Sequence, residues 1–280
     1  MPKKIVRLRP LIAPMIVTRK YMGELSHLVG EMVKEYNTLL RIYKDNRGQF
    51  TADAWGITEL DDRIKHLSKK WQERFIEYAK NNVPKIVDAL RRQSDLQIKE
   101  ILKDWFAEQR FTLFGQNIPV PMRQVIKACI EENVSYITTL PQQYNMRVSG
   151  AVYRAVSGGG TFKQLRNELF KYADMTYRRA KLVASDQTHK AFVSIAAKRM
   201  ETLGITKYQW IHTGAGKTHR PYHKAKWDGV SGKTNGEPNG LNGFIFDMKH
   251  QPVIDKRTGQ TGLPGQLPFC HCRLAPVIEF

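Results

Sequence analysis

Three observations predict an α+β fold: a largely helical N-terminal part, then a long helix and a small, loop-rich antiparallel β subdomain at the C-terminal end. Apolar residues recur at three- and four-residue spacing through most of the chain before Gly204. Gly158-Gly159-Gly160 is the sharpest interruption of that pattern. Beyond Gly204, short stretches of strand character alternate with segments rich in Gly, Pro, Asn and Lys.

Taken in order, Met1 to Tyr21 carries basic residues around an apolar stretch, Leu11 to Val17, interrupted by Pro10 and Pro14. A secretory leader needs a longer uninterrupted run, so residues 1–20 are expected to form an extended basic arm. A first helix is predicted from the stripe Met22, Leu25, Val29, Met32, Tyr36, Leu39 or Leu40, and Tyr43, with a stop at Asp45-Asn46-Arg47-Gly48. A second carries Leu60, Ile64, Leu67, Trp71, Phe75 and Tyr78 on one face. A third runs from about Lys85 to Glu108 through Ile86, Leu90, Ile101, Leu102 and Trp105, and Gly115 to Pro121 reads as a loop. Val125, Ile126, Cys129, Ile130 and Ile137 predict another helix, stopped near Pro141. The aromatics on these stripes and Cys129 read as core.

Thr161-Phe162-Lys163-Gln164 has capping-box spacing, so the triple glycine is expected to turn into a fresh helix reaching about Tyr172. A long helix is then predicted from about Thr176 to Thr202, with Ala180, Val183, Ala184, Ala191, Ile195 and Ala196 inward. Tyr208 to Ile211, Gly243 to Met248 and Cys272 to Ile278 read as strands, and Asp255 to Gly262 as a hairpin tip.

The chain has 280 residues and a formal net charge of +19, from 45 Lys+Arg against 26 Asp+Glu. Residues 1–160 contribute 26 basic and 17 acidic side chains, residues 161–280 contribute 19 and 9, so the shorter C-terminal part is the more basic. Such an excess favours a polyanionic partner, because each Lys or Arg that neutralises a phosphate releases counterions. No helix-turn-helix, zinc-finger or RNA-binding signature is present, so sequence-independent contact with double-stranded DNA is the expectation. No run reaches the roughly 18 apolar residues a membrane span needs, and no membrane partner is expected. Three cysteines, two of them one residue apart, do not form a disulfide framework and fit a reducing compartment.

Five of the eight histidines and two of the three cysteines fall between His212 and Cys272. His219 and His223 are spaced H-x3-H, and Cys270 and Cys272 bracket His271. Together His219, His223, Cys270 and Cys272 make a candidate structural zinc site, which would let a small end fold without a large core. The alternative is plain packing of the cysteines beside a solvated basic loop. A metal-dependent nuclease, with a histidine base and Arg220 and Arg273 on phosphate, is the runner-up function. It lacks a motif of hard carboxylate ligands, as Asp228, Glu237, Asp247 and Asp255 are scattered. No catalytic residue is assigned.

The C-terminal half resembles the phage head-morphogenesis family, the minor head proteins similar to protein F of phage Mu. The resemblance covers about the last 150 positions. It rests on Glu132-Asn133-Val134 to Ile137 with Pro141, Gly158-Gly159-Gly160, the run Arg179 to Thr188, Gly204-Ile205, and Tyr208-Gln209-Trp210. Arg220 and His223 match the family's R-x-x-H, and Pro264-Gly265 and Cys270-His271-Cys272-Arg273 its proline-glycine and cysteine-rich ending. Two departures stand out. Many relatives carry an acid shortly before R-x-x-H, where this chain has Gly214 to His219, and Cys-His-Cys replaces the commoner Cys-Arg-Cys.

The resemblance implies a low-copy protein inside the head of a tailed phage, at the portal vertex, after assembly in the host cytoplasm. Its implied partners are the portal protein, the major capsid or scaffold protein, and packaged DNA, with ejection alongside the genome as a further implication. The corresponding division is a basic arm over residues 1–20, a helical attachment region over 21–120, and a head-morphogenesis domain over 121–280 whose α+β end starts near 205. Candidate DNA contacts are Lys3, Lys4, Arg7, Arg9, Arg178, Arg179, Lys181, Arg220 and Arg273. A nuclease or toxin-like effector delivered with the genome, and a basic binding module left by a decayed prophage, are the competing readings.

Overall fold

The computed structural model describes residues 4–42, 54–106, 118–158, 161–214, 220–225 and 240–279. The expected stop at Asp45 to Gly48, the end of the third predicted helix near Glu108, Gly115 to Asn117, Gly159 and Gly160, Lys3 and His219 lie outside the described residues. The α+β class is borne out: long helices come first, and a small antiparallel sheet closes the chain.

The extended reading of the N-terminal arm holds from Lys4 to Pro14, but the arm is not loose. Ile5–Arg7 form strand β1, paired antiparallel with the last strand, and Leu8 and Leu11 N–H continue the contact to Pro276 and Leu274 carbonyls at 3.0 and 2.9 Å. Helix α1 spans Met15–Arg41 and starts ahead of the stripe that predicted it, directly after Pro14. Its buried face holds Tyr21, Leu25, Val29, Met32, Tyr36 and Leu40.

Three expected helix breaks are absent, two of them beside prolines. The second and third predicted helices form one 49-residue helix, α2, over Ala54–Leu102 with Pro84 inside it. Phe75, Ala79, Val83, Val87 and Leu90 are all buried, so the apolar stripe runs unbroken through the proline. Asn82 Nδ2 donates to Tyr78 O at 3.0 Å in the same turn. Pro141 likewise does not end its helix, since α3 runs over Val120–Ser157. Ile137, Leu140, Tyr144 and Val148 keep one face buried across it. Burial of a continuous stripe thus outweighs the loss of one backbone hydrogen bond at each proline.

Helix α4 covers Phe162–Thr202 without the expected gap near Tyr172. Ala173 and Thr176 are buried there, and Thr176 Oγ1 donates to Tyr172 O at 2.8 Å. The capping box forms as predicted: Thr161 N–H donates to Gln164 Oε1 at 2.8 Å, and Gln164 N–H to Thr161 Oγ1 at 3.3 Å.

Strand β2 (Lys207–Ile211), the short helix α5 (Pro221–Lys224), and strands β3 (Ile245–Asp247), β4 (Val253–Asp255), β5 (Gln260–Thr261) and β6 (Arg273–Glu279) complete the chain. The main sheet has the order β1-β6-β2-β3, antiparallel throughout. In its centre Tyr208 faces Pro276, Trp210 faces Leu274 and Ile211 faces Arg273. β4 and β5 form the predicted hairpin.

The chain divides into two compact units. One comprises Thr18–Lys85 and Glu131–Ser185, and its described residues are helical apart from Ile42, Gly158 and Thr161. In it α1 runs antiparallel to the start of α2. Glu35 accepts from Lys70 and, at 2.7 Å, from Trp71 Nε1, while Glu24 accepts from Tyr78 Oη at 2.8 Å. Tyr21 and Tyr36 hydroxyls donate to Asn133 and Asn145 of α3 at 3.0 and 2.9 Å. The other unit comprises Met1–Val17, Ile86–Ile130 and Asp186–Phe280, and contains both sheets. Its buried ion network joins α2 to α4: Arg199 reaches both Asp95 oxygens at 2.7 and 3.2 Å, and Arg91 reaches Asp95 at 2.9 Å. Helices α1, α2, α3 and α4 each contribute residues to both units.

Candidate metal centre

Cys270 and Cys272 sit just ahead of β6 and are both buried. His223 lies in α5 and is buried too, with the edge of Trp210 packed against its ring at a centroid distance of 5.0 Å. Its Nδ1 is 3.5 Å from Cys270 Sγ and 3.9 Å from Cys272 Sγ. One donor atom from each of the three residues lies within 4.8 Å of the others.

The surroundings fix each donor. His223 Nε2 is 2.8 Å from the Ile254 carbonyl of β4, so that nitrogen carries the proton and Nδ1 turns its lone pair to the sulfurs. Phe269, immediately before Cys270, has φ 59°, a left-handed conformation uncommon for a bulky residue. The Asp186 carboxylate of α4 holds it there by accepting the Phe269 N–H at 3.0 Å. On the other side, His189 Nε2 donates to the Cys272 carbonyl at 3.0 Å. Burial pushes His189 toward its neutral form, which keeps it a neutral hydrogen-bonding ring. Gly265 has φ 85°, and a Cβ placed on it would stand 2.3 Å from the His189 ring and 3.2 Å from the Cys272 carbonyl. Only glycine permits that approach.

The two thiols are not equivalent. The hydrogen bond from Cys272 lowers the Cys270 pKa against the effect of burial, with His223 adding to the lowering. The same contact, reinforced by burial, raises Cys272.

Of the four ligands expected from sequence, the structure brings together His223, Cys270 and Cys272; His219 lies outside the described residues. His212 was missed. Its Nδ1 is 3.5 Å from Cys272 Sγ, and its backbone N–H donates to Asn242 Oδ1 at 3.0 Å. The signal that could have found it is register: Ile211 pairs with Arg273, so the residue that follows β2 stands opposite Cys272.

The candidate DNA contacts are spread over both units. Arg178, Arg179 and Lys181 belong to the helical one, where Arg178 pairs with Asp174 at 2.7 Å. Lys4, Arg7, Arg9, Arg220 and Arg273 belong to the other, where Arg9 lies 3.7 Å from Glu100 and Arg220 donates to the Pro268 carbonyl at 3.2 Å. Lys4, Arg7, Arg9, Arg178 and Lys181 are exposed, while Arg179, Arg220 and Arg273 are half-buried. Among the described residues no helix is long and apolar enough to cross a membrane.

Residues 146–275 match the family described as Phage Mu protein F like protein, a span that encloses His212, His223, Cys270 and Cys272. An uncharacterized protein of Haemophilus influenzae is 26% identical over 262 residues, covering 92% of this chain and 53% of its own length. The chain thus spans about half the length of that curated relative. No solved structure matches.

Proposed function

We propose that this chain, whose residues 146–275 match the family described as Phage Mu protein F like protein, is a minor head protein of a tailed double-stranded DNA phage. In this reading it associates with the portal, helps the head assemble with the major capsid or scaffold protein, and contacts packaged DNA without reading its sequence. The observation that carries the proposal is the family match itself.

Two further features support it. The net charge of +19 suits a surface close to crowded phosphates, whose mutual repulsion bound cations relieve. The exposed Lys4, Arg7, Arg9, Arg178 and Lys181 are the side chains best able to supply those contacts. The Cys/His cluster favours the structural reading over the nuclease, because two thiols and an imidazole suit a buried soft-metal site, whereas hydrolysis of phosphodiesters with a hard cation uses carboxylates.

Mass spectrometry of purified particles, comparing full heads with heads emptied of DNA, tests the proposal. A few copies per head are expected, and loss on emptying marks the protein as travelling with the DNA. Absence from both preparations overturns the assignment to the virion. In solution, DNA affinity is expected to fall steeply with salt, as a phosphate-dominated contact requires, with no change in DNA length on incubation. Cleavage that a chelator abolishes would instead establish the nuclease.

A further inference from the structure

We infer that the chain holds one zinc ion, bound by His223 Nδ1, Cys270 Sγ and Cys272 Sγ, with His212 Nδ1 as the fourth donor. The distances carry the inference. A tetrahedral zinc with Zn–S of about 2.3 Å and Zn–N of about 2.0–2.1 Å sets a sulfur and a nitrogen about 3.5 Å apart. The two closest sulfur–nitrogen separations, Cys270 to His223 and Cys272 to His212, are each 3.5 Å. The third, Cys272 to His223, is 3.9 Å. An N–H···S hydrogen bond accounts for any one of these contacts, but not for two sulfurs and the His223 nitrogen within 4.8 Å of one another, with His212 Nδ1 beside Cys272.

The outer contacts point the same way. A metal-bound imidazole characteristically donates its other nitrogen to a carbonyl or carboxylate, and His223 donates Nε2 to Ile254. The left-handed Phe269, held by Asp186, is a local strain at the one place where the chain must turn two cysteines toward one point. A closed set of two thiolates and two imidazoles is a structural, not a catalytic, arrangement. Its effect would be to bind together four segments: the end of β2, helix α5, the carbonyl of β4 through His223, and the run into β6.

The inference is independent of the virion reading, and its test uses only the purified full chain. Metal analysis after expression without an affinity metal is expected to return about one zinc per chain. Replacing zinc with cobalt should give the intense visible bands of a tetrahedral site and the ultraviolet charge-transfer band of cobalt–thiolate bonds. Thiol titration should find Cys270 and Cys272 protected until a chelator is added.

The variants Cys270→Ser, Cys272→Ser and His223→Gln should each bring zinc below about a tenth of an equivalent, with His250→Gln, an exposed histidine away from the cluster, retaining it. Helical circular dichroism checks that each variant is folded. If one is not, the chelator experiment on the unchanged chain decides. His212→Gln should keep the cobalt–thiolate band but weaken zinc affinity by about 10- to 100-fold or more. Unchanged affinity in that variant overturns the fourth ligand. Zinc below a tenth of an equivalent in the unchanged chain, reloaded under reducing conditions without a cobalt–thiolate band, overturns the site.

Discussion

The helical unit and the sheet-bearing unit solve the same problem by different means. In Thr18–Lys85 and Glu131–Ser185, long amphipathic helices bury whole stripes of Leu, Val, Tyr and Trp, and polar groups serve to set helix against helix. In the other unit the strands are short, two to seven residues each, and much of the order comes from polar fixtures. These are the Arg199–Asp95–Arg91 network, Asp186 on Phe269, His189 on Cys272, and the His/Cys cluster. A core made of stripes loses packing and transfer energy with each member removed. A set of polar fixtures fails in another way, because removing one partner leaves another buried without compensation.

The sharpest way to break this contrast is to damage each unit at its most buried point. Trp71→Ala removes a side chain that is 1% exposed and is expected to cost about 3–5 kcal/mol by guanidinium unfolding. Asp95→Ala should cost about as much, because the buried Arg199 then loses its carboxylate, while Arg91 keeps only Asp88. The distinguishing measurement is a second change. Replacing Asp95 and Arg199 together by Leu and Met should recover much of the Asp95→Ala loss. Restoring shape around a truncated Trp71 has no such shortcut. If the double replacement recovers nothing, the network does more than neutralise its own buried charges, and the contrast as drawn is wrong.

A smaller effect is expected at Gly265. An added methyl meets His189 at 2.3 Å in a backbone conformation that side chains rarely adopt, so Gly265→Ala should cost about 2 kcal/mol. It should also loosen the His189–Cys272 contact and increase the reactivity of the two thiols. A stability loss with thiol reactivity unchanged would separate the fixture from the cluster beside it.

The same contrast explains what could be read from the sequence. Helical stripes are local, so Leu25, Val29, Met32 and Tyr36, or Leu60, Ile64, Leu67, Trp71 and Phe75, disclose their face without knowledge of a partner. The Thr161–Gln164 capping box was legible for the same reason. The strands at Tyr208, Phe246 and Leu274 were visible as elements, but their order is a long-range fact. With it went His212, whose relation to Cys272 exists only once β2 lies beside β6. The resemblance to the phage head-morphogenesis family rested on ordered short motifs, and the match over residues 146–275 bears it out. The helix boundaries failed where a buried stripe runs on past an expected break, between Tyr78 and Lys85, at Pro141 and near Tyr172.

The prolines inside α2 and α3 supply the finest test. Pro84→Ala restores a backbone N–H that can bond the carbonyl of the preceding turn, a gain of about 1 kcal/mol. It also frees the unfolded chain, a loss of about 0.4–1 kcal/mol. The two nearly cancel, so the change should alter stability by no more than about 0.5 kcal/mol. That near-neutrality follows from a continuous stripe, with Ala79, Val83 and Val87 buried on either side of a proline that the helix has already accommodated. A gain well above 1 kcal/mol would mean that the helix holds unrelieved strain at Pro84. It would then matter that the division between the two units falls between Lys85 and Ile86, because the proline would be a built-in weak point of α2 and not merely a tolerated residue.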